Sequence, residues 1–151
     1  MTETESDVWI KVRGIQFSLD ATDPEETEII TSGRYYKKNG KRYLRYEEIL
    51  PDESGVTKNT VKISSDAVDI LKNGPVNTHM LFQKDQKTNS YYYTPFGNLL
   101  IGLNTEHINI LETDTSLLVE VRYGLELNNH HIADCKVSIS ADAKDAGFSL
   151  S

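Results

Sequence analysis

The residues with chemistry to offer in this 151-residue chain are few: the adjacent carboxylates Glu47 and Glu48, four histidines, one cysteine, and a run of cations between Arg34 and Arg45. Glu47 and Glu48 lie in a stretch that reads as a strand, where neighbouring side chains point to opposite faces, so they cannot act as an acid/base couple on one bond. Glu48 shares a face with Tyr46. A carboxylate buried there needs a donor or a cation, and it either orients a ligand or accepts hydrogen bonds from tyrosine hydroxyls. His130 and His131 sit in a predicted turn and face apart, and no second cluster of His, Cys or Asp stands at ligand spacing, so no metal is expected. Cys135 falls on the apolar side of an alternating run, where a thiol behaves as a small inert hydrophobe. There is no Gly-x-Ser-x-Gly elbow and no glycine-rich phosphate loop. The sequence thus points to a non-enzymatic protein with no catalytic residue and no cofactor.

Arg34, Lys37, Lys38, Lys41, Arg42 and Arg45 form a basic island of charge +6 on a chain whose net charge is −7. The overall acidity disfavours nucleic acid as a partner, since phosphate contacts need cations in excess. The local chemistry is different: Tyr36 and Tyr43 share a face with Arg34 and Arg45, a combination that can stack a base or grip a phosphate. The plain alternative is a solvated hairpin, whose facing cations cost a few tenths of a kcal/mol per pair and whose lysines blunt a strand edge.

The element that positions both groups is a hairpin from Ile29 to Leu50. Asn39-Gly40 accepts the positive φ angles of a type I′ turn, which fixes the register: Lys38 opposite Lys41, Lys37 opposite Arg42, Tyr36 opposite Tyr43, Tyr35 opposite Leu44, Arg34 opposite Arg45, Gly33 opposite Tyr46. The face carrying Tyr35, Leu44, Tyr46 and Glu48 points inward. Before it, Val8 to Leu19 alternates but changes phase between Val12 and Ile15, which predicts a bulge or bend at Gly14; Asp20 to Glu28 reads as an exposed connection. After it come strands around Val61 and Ile63, Ala67–Lys72, Val76–Gln83, Tyr91–Thr94, Leu99–Leu103, Ile108–Ile110, Leu117–Leu127 and Ala133–Ile139. Turns are expected at Pro51–Gly55, Asn73-Gly74-Pro75, Asp85–Asn89, Pro95-Phe96-Gly97 and Asn128–His131.

No stretch sustains a 3.6-residue apolar period, so the fold class is all-β. A closed antiparallel up-and-down barrel of about 8–10 strands is preferred to a sandwich, because closure hides the edges of the long meander strands. Tyr35, Tyr46, Glu48, Met80, Phe82 and Tyr123 then line the interior as candidate ligand-binding residues. At this size a barrel is either just filled by side chains or holds one small ligand, and tyrosine hydroxyls need partners. The favoured function is binding of a small, partly apolar molecule in or at the mouth of the barrel. The alternative is a filled barrel whose basic hairpin surface, residues 34–45, binds a protein or a nucleic acid.

The length suits one domain over residues 1–151, with residues 1–7 and 142–151 read as flexible tails. The longest apolar run, Leu99-Leu100-Ile101, is far too short to cross a bilayer, and the acidic start lacks the pattern of a secretory signal. With a single cysteine this suggests a cytoplasmic protein that keeps its thiol reduced. No membrane partner is expected, and a homodimer is compatible with the sequence.

Gly33, Tyr35, Tyr36, Tyr43, Leu44, Tyr46, Glu47 and Glu48, then Thr60 with Lys62, Gly74 with Val76, and Tyr93, Phe96, Gly97 and Thr105, occur in an order and spacing that resembles the YwiB-like bacterial proteins, a family catalogued as a domain of unknown function. The resemblance covers roughly Val8 to Ile139. It implies a lipocalin-like, or calycin, barrel and a cytoplasmic bacterial protein, and it carries no reaction and no catalytic residues. The Gly-x-Trp signature of true lipocalins is missing, since Trp9 precedes Gly14, so a secreted carrier of hydrophobic ligands is not implied.

Overall fold

The computed structural model describes residues 5–18, 23–49, 55–74, 77–94 and 97–144. Among these there are ten strands and no helix: β1 (Ser6–Ser18), β2 (Glu25–Lys38), β3 (Lys41–Ile49), β4 (Val56–Ile63), β5 (Ala67–Asn73), β6 (Thr78–Gln83), β7 (Lys87–Thr94), β8 (Gly97–Glu112), β9 (Ser116–Leu127) and β10 (His130–Ala143). Each strand pairs antiparallel with its chain neighbour except at β6 and β7, and β1 pairs with β10, giving the order β6-β5-β4-β3-β2-β1-β10-β9-β8-β7. The result is a nearly closed up-and-down barrel. Among the described residues no backbone ladder joins β6 to β7. Side chains meet across that seam instead: the Thr88 hydroxyl donates to the Leu81 carbonyl, and the Tyr92 hydroxyl faces Thr78.

Asn39 (φ 52°) and Gly40 (φ 76°) take the left-handed angles of the type I′ turn. The six predicted pairs from Lys38–Lys41 to Gly33–Tyr46 are the observed ones. Asn128 (φ 50°) and Asn129 (φ 69°) build the equivalent turn between β9 and β10, so His130 and His131 belong to β10 rather than to the turn. Gly33 is needed for a different reason. A Cβ there would collide with the Arg45 carbonyl oxygen and with Cδ1 of Ile10.

Several sequence expectations are corrected. There is no bulge at Gly14, because the pairing of β1 with both β2 and β10 runs without a register shift from Val8 to Gln16. Gln16 therefore takes the inward side, Phe17 is 53% exposed, and the apolar phase change is spent on solvent; Leu19 lies outside the described residues. Register shifts fall instead on β10 between His131 and Ala133 and on β8 between Thr105 and His107, the latter within one strand that joins the two expected from Leu99 and from Ile108. β2 begins at Glu25, so its acids are paired with β1, as in Lys11–Glu28 (3.6 Å) and Arg13–Glu26 (3.5 Å), rather than lying in a connection. Lys87–Asn89 belongs to β7, not to the turn expected at Asp85–Asn89. Order also reaches into both expected tails: Ser6 and Asp7 pair with β2, and Asp142 and Ala143 with β9 and β1. Residues 1–4 and 145–151, the turn residues 51–54, Pro75 with Val76 and Pro95 with Phe96 lie outside the described set.

Four turns gather at one end of the barrel, here the hairpin end: Asn39–Gly40, Ser64–Asp66, Lys84–Gln86 and Thr113–Thr115. The interior towards this end is a packed apolar core of Val8, Ile10, Leu44, Val61, Ile63, Val68, Phe82, Leu117, Val119, Val121 and Ile139, all at 0–1% exposure. That is why alternation in β9 was so plain in the sequence. Burying such side chains contributes about 1.5–3 kcal/mol each.

Candidate functional site

Two interior layers can be distinguished by following the pairing across the sheet. At the hairpin end Arg42 does not join the surface patch: it lies on the inward face of β3 with Leu44, its guanidinium paired with Glu112 at the end of β8. These two strands are not neighbours in the sheet, so the ion pair spans the lumen and closes that end. Tyr35 lies beside it, and its hydroxyl is pushed above the ordinary phenol range by burial first and by Glu112 second, with Arg42 opposing. The core below is filled.

The other layer is polar. Cross-strand pairing runs Gly33–Tyr46–Asn59–Lys72–Thr78, one residue per strand from β2 to β6, and Thr78 continues across the seam to Tyr92. Each member shares its strand's inward side with core residues, Asn59 with Val61 and Lys72 with Ile70. Glu48 is one step further from the hairpin end, opposite Thr57, and its Oε1 is 3.3 Å from Lys72 Nζ. Asn59 is 1% exposed; its Nδ2 donates a long 3.4 Å bond to the Thr57 carbonyl, and its Oδ1 has no partner among the described residues. Burial, with a smaller contribution from Glu48, pushes the Tyr46 hydroxyl well above the ordinary phenol range. The belt presents a carboxamide oxygen, a carboxylate–ammonium pair and two phenols, close to the apolar side chain of Met80, which pairs with Ile70 and packs against the core.

Of the predicted lining residues, Tyr46 and Glu48 belong to this belt and Met80 borders it. Tyr35 (2% exposed) and Phe82 (1%) are core residues, the former at the closed end. Tyr123 packs against Phe82 with ring centroids 4.7 Å apart and the rings tilted by 57°, and its hydroxyl faces Cys135, whose thiol burial pushes upward. Sequence reading missed Asn59, Lys72, Thr78 and Tyr92. The signal was available for Asn59: period two places it with Val61 and Ile63, a polar residue on the inward side of a strand.

The basic island is divided by the fold. Arg42 is inside; Arg34 is paired with Asp7 (3.3 Å) and Glu5 (3.8 Å); Arg45 lies over the Tyr36 ring, 5.1 Å from its centroid; Lys37 and Lys38 are exposed and Lys41 half-buried. Tyr36 and Tyr43 stack on each other with parallel rings 4.7 Å apart, and Tyr36 is only 6% exposed, so it is not free to stack a base. Among the described residues no group of three or more His, Cys, Asp or Glu side chains is placed to hold a metal. His79 pairs with Asp69 at 2.6 Å and His131 with Asp134 at 3.2 Å. Among the described residues no helix is long and apolar enough to cross a membrane.

Comparison with known proteins agrees with this architecture. A solved structure, described as the crystal structure of ywiB protein from Bacillus subtilis, superposes with a TM-score of 0.75 over 93% of this chain and 94% of that one, at 23% sequence identity, a likeness of fold. The uncharacterized beta-barrel protein YwiB of Bacillus subtilis (strain 168) is 33% identical over 89 residues, which amount to 59% of this chain and 61% of the relative's length. The model of the domain of unknown function DUF1934 matches residues 10–139, and with that span of the barrel accounted for, the chain belongs to the DUF1934 family of YwiB-like β-barrel proteins.

Proposed function

We propose that the protein is a non-enzymatic, lipocalin-like binding barrel that holds a small, partly apolar molecule at the end opposite the Asn39–Gly40 hairpin. The observation that supports this reading is the unpartnered Oδ1 of Asn59, 1% exposed, within an inward belt of polar residues. A buried amide oxygen left without a donor costs about 1–3 kcal/mol. Natural interiors keep such groups where a ligand supplies the missing partner or where they hold strain. The pairing of Glu48 with Lys72 neutralises both, so the matching ligand is uncharged overall, carries an N–H or O–H donor for Asn59, and rests an apolar part on Met80. Closure of the other end by Arg42 and Glu112 leaves the belt end as the way in. A cytoplasmic location fits a single thiol held reduced beside Tyr123.

The test is thermal unfolding in the presence of a panel of small amides, alcohols and phenols with apolar tails. Saturating a site to about 100 times its Kd adds about 2.7 kcal/mol, which moves the midpoint of a domain this size by roughly 5–10 °C. At least one panel compound is expected to do so for the wild type and to lose most of the effect against Glu48→Gln and Tyr46→Ala. A panel without effect on the wild type, or an effect unchanged in both variants, counts against the reading.

A further inference from the structure

We propose a second binding site on the outside of the barrel: a groove across β1–β5 that takes a compact polyanion bearing two or more phosphate groups. The groove has a volume of about 660 Å³ and is lined by Arg34, Arg45, Lys58 and Lys144 against two acids, Asp7 and Glu47. Its charged residues alternate with the inward ones along their strands, although Gly33, Tyr46 and Asn59 of the belt also border the groove, whereas Glu48, Lys72 and Thr78 do not.

Three observations carry the assignment. The first is that two of the cations, Arg45 and Lys144, are held by aromatic rings rather than by carboxylates. Among the described residues no carboxylate lies within salt-bridge distance of Arg45, Lys58 or Lys144. Arg45 is instead seated on the Tyr36 ring and Lys144 on the Trp9 ring, 4.3 Å from its centroid. A ring face attracts a cation without consuming its N–H donors, so those donors stay available for a charged acceptor. The second is local charge. Asp7 is committed to Arg34 and Glu47 stands opposite Lys58 in the ladder, which leaves the groove lining at a charge of +2 on a protein whose net charge is −7. The third is size and surroundings. A volume of this order lies within the range of about 300–1,000 Å³ typical of small-molecule sites. A longer polyanion would run onto an acidic body and be repelled, whereas a compact one keeps all its charge within reach of the groove's cations.

Trp9 reports on the site. It is the chain's single tryptophan, 53% exposed, with its partner Ser32 in the groove lining and Lys144 over its ring. Titration with inorganic tripolyphosphate, followed by Trp9 emission and by calorimetry, is expected to give a saturable change that weakens as salt is raised. The double variant Arg45→Ala/Lys58→Ala is expected to bind at least about tenfold more weakly. Lys144→Gln provides a second variant whose Cα lies beyond the β-ladder, and it should weaken binding in the same direction. Thr78→Val, in the interior belt and outside the groove lining, should leave the titration unchanged, so this site and the interior one stand or fall separately. No saturable heat or emission change with tripolyphosphate overturns the proposal, as does equal affinity in the double variant. Citrate binding as tightly as tripolyphosphate overturns the assignment to phosphate, and a single-stranded oligonucleotide binding more tightly overturns the assignment to a compact ligand.

Discussion

Replacing Asn59 by leucine should make the barrel more stable and less functional. Asn59 lies between Tyr46 and Lys72 in the cross-strand ladder, is 1% exposed, and leaves Oδ1 unpaired while Nδ2 makes only a 3.4 Å bond to the Thr57 carbonyl. Removing an unpaired buried amide recovers about 1–3 kcal/mol, from which loss of the long bond to Thr57 subtracts about 0.5–1 kcal/mol. Leucine is close to asparagine in shape and continues the apolar series of Val61 and Ile63. Its two methyl groups are bulkier than the planar amide's oxygen and nitrogen and add mild crowding beside Tyr46, costing up to about 1 kcal/mol. The net expectation is a gain of about 0.5–1 kcal/mol, or roughly 1–4 °C in midpoint for a domain of this length. Urea unfolding followed by tyrosine fluorescence and far-ultraviolet dichroism, with calorimetry for the midpoint, measures it. If Asn59→Leu instead lowers the midpoint by several degrees, the amide is doing structural work and the belt loses its claim to be a site.

Other consequences follow from particular contacts. Arg42→Ala strands the half-buried Glu112 carboxylate and the Tyr35 hydroxyl, and should cost about 1–3 kcal/mol, with Arg42→Ala/Glu112→Ala less than additive in a double-mutant cycle; full additivity would mean that the pair does not clamp the end. Gly33→Ala must push against the Arg45 carbonyl and Ile10, so a loss of about 2 kcal/mol or more is expected in denaturant unfolding. Tyr35, Tyr46, Tyr92 and Tyr123 all have their hydroxyl pKa raised by burial above the ordinary value of 10.0. In the folded state they therefore hold protons that the unfolded chain has released. Their stabilisation is complete below pH 10 and is lost above it, with a slope of about 1.4 kcal/mol per pH unit for each group still protonated. Unfolding free energies measured from pH 8 to pH 11.5 (approximate limits) should fall steeply only past the unfolded value, and Tyr46→Phe should flatten the fall.

The parts of the fold legible in the sequence are those where one local signal fixes geometry. Asn39-Gly40 dictated both the turn and six cross-strand pairs, and the strict alternation from Leu117 to Leu127 gave the inward face of β9. The failures have a common cause: a one-dimensional pattern shows parity but not which parity the sheet accepts. Ile15 and Phe17 looked like core residues needing a bulge at Gly14, yet β1 is flanked by both β2 and β10, and keeping two ladders in register outweighed burying two side chains. Arg42 was grouped with the other cations by proximity in sequence, although its parity with Leu44 already placed it inside; its partner, Glu112, is 70 residues away and invisible to local reading. The candidate site was half legible for the same reason. Tyr46 and Glu48 share the hairpin, whereas Asn59, Lys72 and Thr78 join them only once the pairing of β4, β5 and β6 is known.

The most direct measurement is backbone amide shift mapping of the wild-type barrel titrated with the panel compound that raises its melting temperature most. Saturable shifts centred on Tyr46, Glu48, Asn59, Lys72 and Thr78 are predicted, with the Arg42–Glu112 end unmoved. Shifts centred on the hairpin end, or scattered without saturation, would contradict a ligand site at the polar belt.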